Sequence, residues 1–235
     1  MSLAAHLQGL RQRFDGLALR PPADADADAD VGGDAGLADI AGAGAHAATP
    51  AQCASPALAA LHVWCWHGAG PGTSPAWRPG ALPRVANRLA VAVLRGAPGA
   101  PAAATIAWAD HVARQLDGST RLAALPSRAA GLAFRLGVKL HDAMWWRPRQ
   151  PADPWDAGWA IDTAPALQHL ASAFQPRRAT LILADARRYA PLSAGLAGLA
   201  QRQAGLRHPV RWLWVGGEAD LPALPGLAMA EFALV

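Results

Sequence analysis

Two short apolar runs near the carboxyl end constrain this chain more than any other feature. Thr180-Leu181-Ile182-Leu183-Ala184 stops at Asp185, and Val210-Arg211-Trp212-Leu213-Trp214-Val215 stops at a Gly216-Gly217-Glu218 turn. Between them Leu192, Leu196, Leu199 and Leu206 recur at helical spacing around a polar side that carries Gln201 and Arg202. Runs this short, apolar on both faces and joined by an amphipathic helix, suit neighbouring parallel strands buried under crossover helices. The crossover is expected to be right-handed. In such sheets ligand-facing groups gather at the carboxyl ends of strands, which puts Asp185 and the Gly216-Gly217-Glu218 turn on the candidate rim.

The expected order upstream extends the same architecture. Leu3, Leu7, Leu10, Phe14 and Leu17 alternate spacings of four and three, predicting an amphipathic helix from Ser2 to Leu19 with Arg11 and Arg13 on its other face. Residues 21–56 read as a disordered linker. They hold an Ala-Asp alternation with Asp24, Asp26, Asp28 and Asp30, then Gly-Ala mixtures too poor in large apolar side chains to offset ordering entropy. Residues 57–235 then form one α/β domain, 1–20 being the helix. Within it, Leu61 to His67 is expected as a strand and Leu89 to Leu94 as another. Thr105, Trp108, Val112 and Leu116 mark a helix, and Ala129 to Leu140 reads as a bent strand or hairpin broken at Gly137. A helix starting at Asp162 or Thr163 carries Leu167, Leu170 and Phe174, and Met229 to Val235 closes the sheet as an edge strand. The fold class is therefore an open, mostly parallel α/β sheet with helices on both faces.

Little in the chain carries catalytic chemistry. His62, Cys65 and His67 lack the further Cys or His pair that a zinc site needs, and on a strand His62 would point away from the other two. The glycine-rich stretch Gly68 to Thr73 lacks the Lys-Ser/Thr ending of a phosphate-binding loop. The formal charge is +4, supplied almost wholly by scattered arginines, and no basic stripe interleaved with aromatics argues for nucleic acid. With two cysteines and no leader-like start, a cytoplasmic setting with reduced thiols is expected, and no apolar run approaches membrane-spanning length. The unusual feature is ten tryptophans against four phenylalanines and one tyrosine. Several fall in the proline-rich stretch Trp145-Trp146-Arg147-Pro148-Arg149 to Trp155, whose indoles and guanidiniums make it the best candidate contact surface, with burial over a sheet edge as the alternative.

The order of elements resembles the von Willebrand factor A fold. More narrowly it resembles the bacterial family in which such a domain follows an Arg-Pro-Tyr-x-Pro-Gly-Asp-Asp segment and which travels with MoxR-type AAA+ ATPases. Gly70-Pro71-Gly72-Thr73 with Trp77-Arg78-Pro79-Gly80 is similar to that segment, Ile161 to Leu167 to the loop whose threonine reaches the metal, and Leu181 to Asp185 to the strand ending in the family's Ser-Asp pair. The resemblance implies Thr163 and Asp185 as vestigial rim positions. The family's Asp-x-Ser-x-Ser is replaced by Arg95-Gly96-Ala97-Pro98-Gly99, so the oxygen cluster a hard cation requires is missing and no metal or other cofactor is expected.

Two functional expectations follow. One is a non-catalytic interaction or assembly-accessory protein. Its contacts would be Leu7, Leu10 and Phe14 on the N-terminal helix and Trp145, Trp146, Arg147, Arg149 and Trp155 in the proline-rich stretch. Its partner is a protein, a MoxR-type ATPase if the resemblance extends so far. The other is an enzyme or ligand-binding protein using the rim around Asp185, with His141 and Asp142 or His208 as acid or base and Arg187 or Arg188 holding an anion.

Overall fold

The structure, a computed structural model, describes residues 18–20, 56–68, 88–143, 153–216, 221–222 and 226–234, without the side chains of 141–143. The expected N-terminal helix contacts Leu7, Leu10 and Phe14, the linker up to residue 55, the Gly70 to Gly80 segment, and Trp145, Trp146, Arg147 and Arg149 lie outside these residues.

A single six-stranded sheet organises the rest. Its strands are β1 (Leu19–Arg20), β2 (Leu89–Arg95), β3 (Asp156–Ala160), β4 (Thr180–Asp185), β5 (Val210–Val215) and β6 (Met229–Ala233), in the order β1-β3-β4-β5-β2-β6. All neighbours are parallel except β1, which runs antiparallel to β3. The helices are α1 (Pro56–His67), α2 (Ala102–Leu116), α3 (Ser119–Ala123), α4 (Arg128–Ala143), α5 (Ala164–Ser172) and α6 (Tyr189–Gln201).

The central strands are largely apolar because both of their faces are covered. Ala92, Leu94, Leu181, Leu183, Leu213 and Val215 face α1 and α2, where they meet Leu61, Trp64, Trp108 and Val112. Val91, Val93, Ile182, Trp212 and Trp214 face α5 and α6, where they meet Leu170, Leu192, Leu196 and Leu199. Each Val, Leu or Ile side chain among them contributes roughly 1.5–3 kcal/mol on leaving water. Chain direction and face are linked. The step from β2 out to β3 carries α2 on the first face, and the return steps through β4 to β5 carry α5 and α6 on the second. Reversing direction and face together keeps one hand for all these crossovers, as parallel sheets require.

Three expectations are corrected. Leu61 to His67 is not a strand but the end of α1, which begins at Pro56. Its buried residues Leu61, Trp64 and Cys65 follow helical spacing, and packing overrides the strand preference of a Val-Trp-Cys-Trp run. Ala129 to Leu140 is not a bent strand or hairpin but lies within α4, where Gly137 is accommodated without a break. Trp155 is not an exposed contact. It is 2 % exposed and meets Trp66 edge-on, with ring centroids 5.7 Å apart. Trp155, Ala157 and Trp159 alternate onto one buried face, so the strand β3 was hidden in what reads as the tail of a proline-rich loop.

The N-terminal segment also ends differently from the expected helix, since Leu19 and Arg20 pair with Ala160 and Trp159. Gly158 permits this approach: a Cβ there would stand 2.5 Å from the Arg20 carbonyl oxygen.

Candidate interaction surface

The carboxyl rim assembles as the strand order dictates, and its charged groups are occupied with one another. Asp185 ends β4 and caps the following turn. Its Oδ1 accepts from the Arg187 backbone N–H at 2.9 Å and from Arg187 Nε at 3.1 Å, while Oδ2 lies 3.1 Å from a terminal guanidinium nitrogen. Asp162 pairs with Arg188, and Arg95 with Glu231. Thr163 stands at the N-cap of α5, extended and exposed, without a side-chain cap bond. Among the described residues no three His, Cys, Asp or Glu groups gather closely enough to hold a metal.

The residues expected to join Asp185 in acid or base chemistry are placed apart. Asp185 is level with Val215 across the parallel β4–β5 pair, whereas His208 precedes Val210, the residue level with Thr180. Five residue steps at ~3.3 Å each set them on opposite ends of the sheet, about 17 Å apart along the strands. That correction removes His208 from the rim. His141 and Asp142 end α4, and their side chains lie outside the described residues. The trio His62, Cys65 and His67 is distributed around α1. Burial lowers the pKa of His62 and pushes the Cys65 thiol up to about 12, the nearby Arg211 opposing the latter.

Among the described residues the tryptophans are largely structural. Trp64, Trp108, Trp155, Trp159, Trp212 and Trp214 are all buried. Trp159 donates from Nε1 to Asp110 Oδ1 at 2.7 Å, which ties β3 to α2. Burial raises the pKa of Asp110, opposed by that hydrogen bond and by the charges of Arg114 and Arg20.

The surface that sequence reasoning missed is on α4. Leu132, Leu136 and Leu140 are 60 %, 52 % and 62 % exposed. At about 100° per residue, their four-residue spacing draws one continuous stripe along the helix. The opposite side of α4 is the one that docks: the Phe134 ring lies under the Arg121 guanidinium, 5.5 Å from its centroid. Among the described residues neither core cluster includes a side chain of α4. The available signal was the recurrence of leucine every four residues, masked by Gly137, which reads as a break. The same helix runs directly into the stretch from residue 144 that holds Trp145, Trp146, Arg147 and Arg149.

Compared with protein-family models, with curated proteins and with solved structures, the chain matches none. Among the described residues no helix is long and apolar enough to cross a membrane.

Proposed function

We propose that this protein is a non-catalytic interaction module, an α/β platform that presents α4 to a protein partner. The observation that carries this reading is the stripe of Leu132, Leu136 and Leu140, each more than half exposed on one helix; among the described residues Val63 is the other exposed large apolar side chain. Large apolar side chains held in water cost free energy that a partner would recover, and contiguous ones mark contact surfaces more often than scattered ones do. The Trp145-Trp146-Arg147 and Arg149 groups follow α4 in the sequence, and the spacing of Leu7, Leu10 and Phe14 predicts a second apolar stripe. A MoxR-type ATPase as partner rests on the family resemblance alone, and a cytoplasmic location on the character of the sequence. The rim around Asp185 supports the enzyme reading less well, because its carboxylates are engaged by Arg187 and Arg188.

The test is affinity capture from the native host with the full chain and with a Leu132→Ser, Leu136→Ser, Leu140→Ser variant. Circular dichroism and melting temperature confirm equal folding. A specific partner lost by the variant and kept by an Asp185→Asn control supports the reading. Partner recovery that ignores all three leucines overturns it.

A further inference from the structure

The stripe on α4 has a sign of charge and a shape, and both bear on what covers it. Around the helix axis Arg128, Arg135 and Lys139 fall along one edge of the leucine stripe, and all three are exposed. They are the charged residues of α4 whose side chains are described, and Arg121 of neighbouring α3 is exposed as well. At the start of α4 the surface is concave. Leu122 and Leu125 from one side and Arg128, Gly131, Leu132 and Arg135 from the other line a groove of about 420 Å³. Gly131 contributes wall without a side chain, and there is room beside it: a Cβ there would make only an ordinary 3.5 Å contact with Leu122 Cδ1.

From these features we infer that α4 and the α3–α4 groove receive an acidic amphipathic helix of a partner protein. The inference rests on the interaction reading and gives the partner its chemistry. One apolar side chain of the incoming helix enters the groove beside Leu132, the next ones lie on Leu136 and Leu140, and Asp or Glu residues along its flank face Arg128, Arg135 and Lys139. Helix-in-groove recognition uses apolar anchors at such spacings, and charge complementarity at the rim sets orientation and encounter rate. A second copy of this chain would bring the same cations against themselves, and a lipid surface would leave the concavity unfilled.

The experiment titrates the full chain, by fluorescence anisotropy, against a labelled helical peptide with leucines at i, i+4 and i+7 and glutamates on one flank. A matched peptide carries lysines in place of the glutamates, and anionic vesicles of phosphatidylglycerol and phosphatidylcholine serve as the lipid probe. Binding of the acidic peptide at least about tenfold tighter than the basic one is expected, weakening as salt screens the pairs. The variant Arg128→Glu, Arg135→Glu, Lys139→Glu is expected to invert that preference. Gly131→Leu, which fills the groove and favours the helix, is expected to weaken binding about tenfold while leaving the melting temperature equal or higher. Equal affinity for the two peptides, indifference to Gly131→Leu, tighter binding to vesicles than to peptide, or self-association through the leucines each overturns the inference. If the native partner still depends on Leu132, Leu136 and Leu140 while the acidic peptide fails, the interaction reading stands and only the acidic chemistry falls. If neither depends on them, both fall.

Discussion

Arg211 Nε donates to the carbonyl oxygen of Cys65 at 2.7 Å, a hydrogen bond between the middle of the sheet and the last turn of α1 that spans 146 residues of chain. Arg211 is completely buried. The last carbonyls of a helix have no intrahelical donor and gather partial negative charge, so a cation placed there satisfies both needs. This explains a buried arginine as the second residue of an otherwise apolar strand.

Removing that group is expected to loosen α1. Arg211→Ala deletes the donor and leaves a cavity, for an expected loss of about 3–5 kcal/mol. Arg211→Met keeps most of the volume and gives up the hydrogen bond, for about 1–2 kcal/mol. Urea unfolding of the two variants separates the contributions. Equal losses would mean that the hydrogen bond, and not side-chain volume, holds α1 in place.

Cys65 yields a pH dependence of definite sign. Burial moves its thiol from 9.0 to about 12, so the folded state keeps a proton that the unfolded state gives up. The stabilisation is complete below pH 9 and is lost as pH rises towards 12. Arg211 acts oppositely but later, since burial lowers it from 12.5 to about 10, with Cys65 opposing. Cys65→Ala is therefore expected to flatten the fall in stability between pH 9 and 10, where the thiol acts without the guanidinium. Thiol labelling by a disulfide reagent at pH 8 checks the same point, since Cys65 is expected to react at the rate of unfolding.

How much of this was legible beforehand depended on which face of each element is covered. β4 and β5 are buried on both sides and declare themselves as apolar runs, and the Leu192, Leu196, Leu199 spacing of α6 is equally plain. The segment of α1 from Leu61 was misread because Trp64 and Cys65 have strand-like preferences, while its helical spacing is short. α4 was misread for a different reason. Its leucines follow helical spacing, but Gly137 interrupts the pattern, and a stripe that faces water obeys no core. The candidate surface lies where the sequence departs from self-burial, the kind of place where pattern rules fail. Asp185 was correctly placed at a strand end, but nothing in the sequence showed that Arg187 two residues later would occupy it.

Asp110 is buried with its proton held more tightly than in the unfolded chain, so wild-type stability falls as pH rises through its raised folded-state pKa. Asp110→Asn retains an oxygen for the Trp159 indole and removes the desolvated charge. The variant is expected to equal or exceed wild type at pH 7, and the difference is expected to close below about pH 4, near the ordinary carboxylate value. Thermal melts at the two pH values measure it. A variant less stable at pH 7 would show that attraction to Arg114 and Arg20 outweighs the cost of burial.

Two glycines in helices are expected to respond with opposite signs to the same substitution. A Cβ on Gly198 of α6 would stand 2.4 Å from the Cβ and 2.8 Å from the Cα of Ala171 in α5, so the two helices meet there backbone to backbone. Gly198→Ala gains helix propensity of ~1 kcal/mol but forces the pair apart, for a net loss of about 1–3 kcal/mol. Gly137 of α4 has nothing within 4 Å of a built Cβ. Gly137→Ala there gains the propensity without a clash, raising stability by about 0.5–1 kcal/mol. Paired melting curves decide the matter: a stabilised Gly198→Ala would mean that α5 and α6 are not in contact at Ala171, and a destabilised Gly137→Ala would mean that something covers α4 on that side.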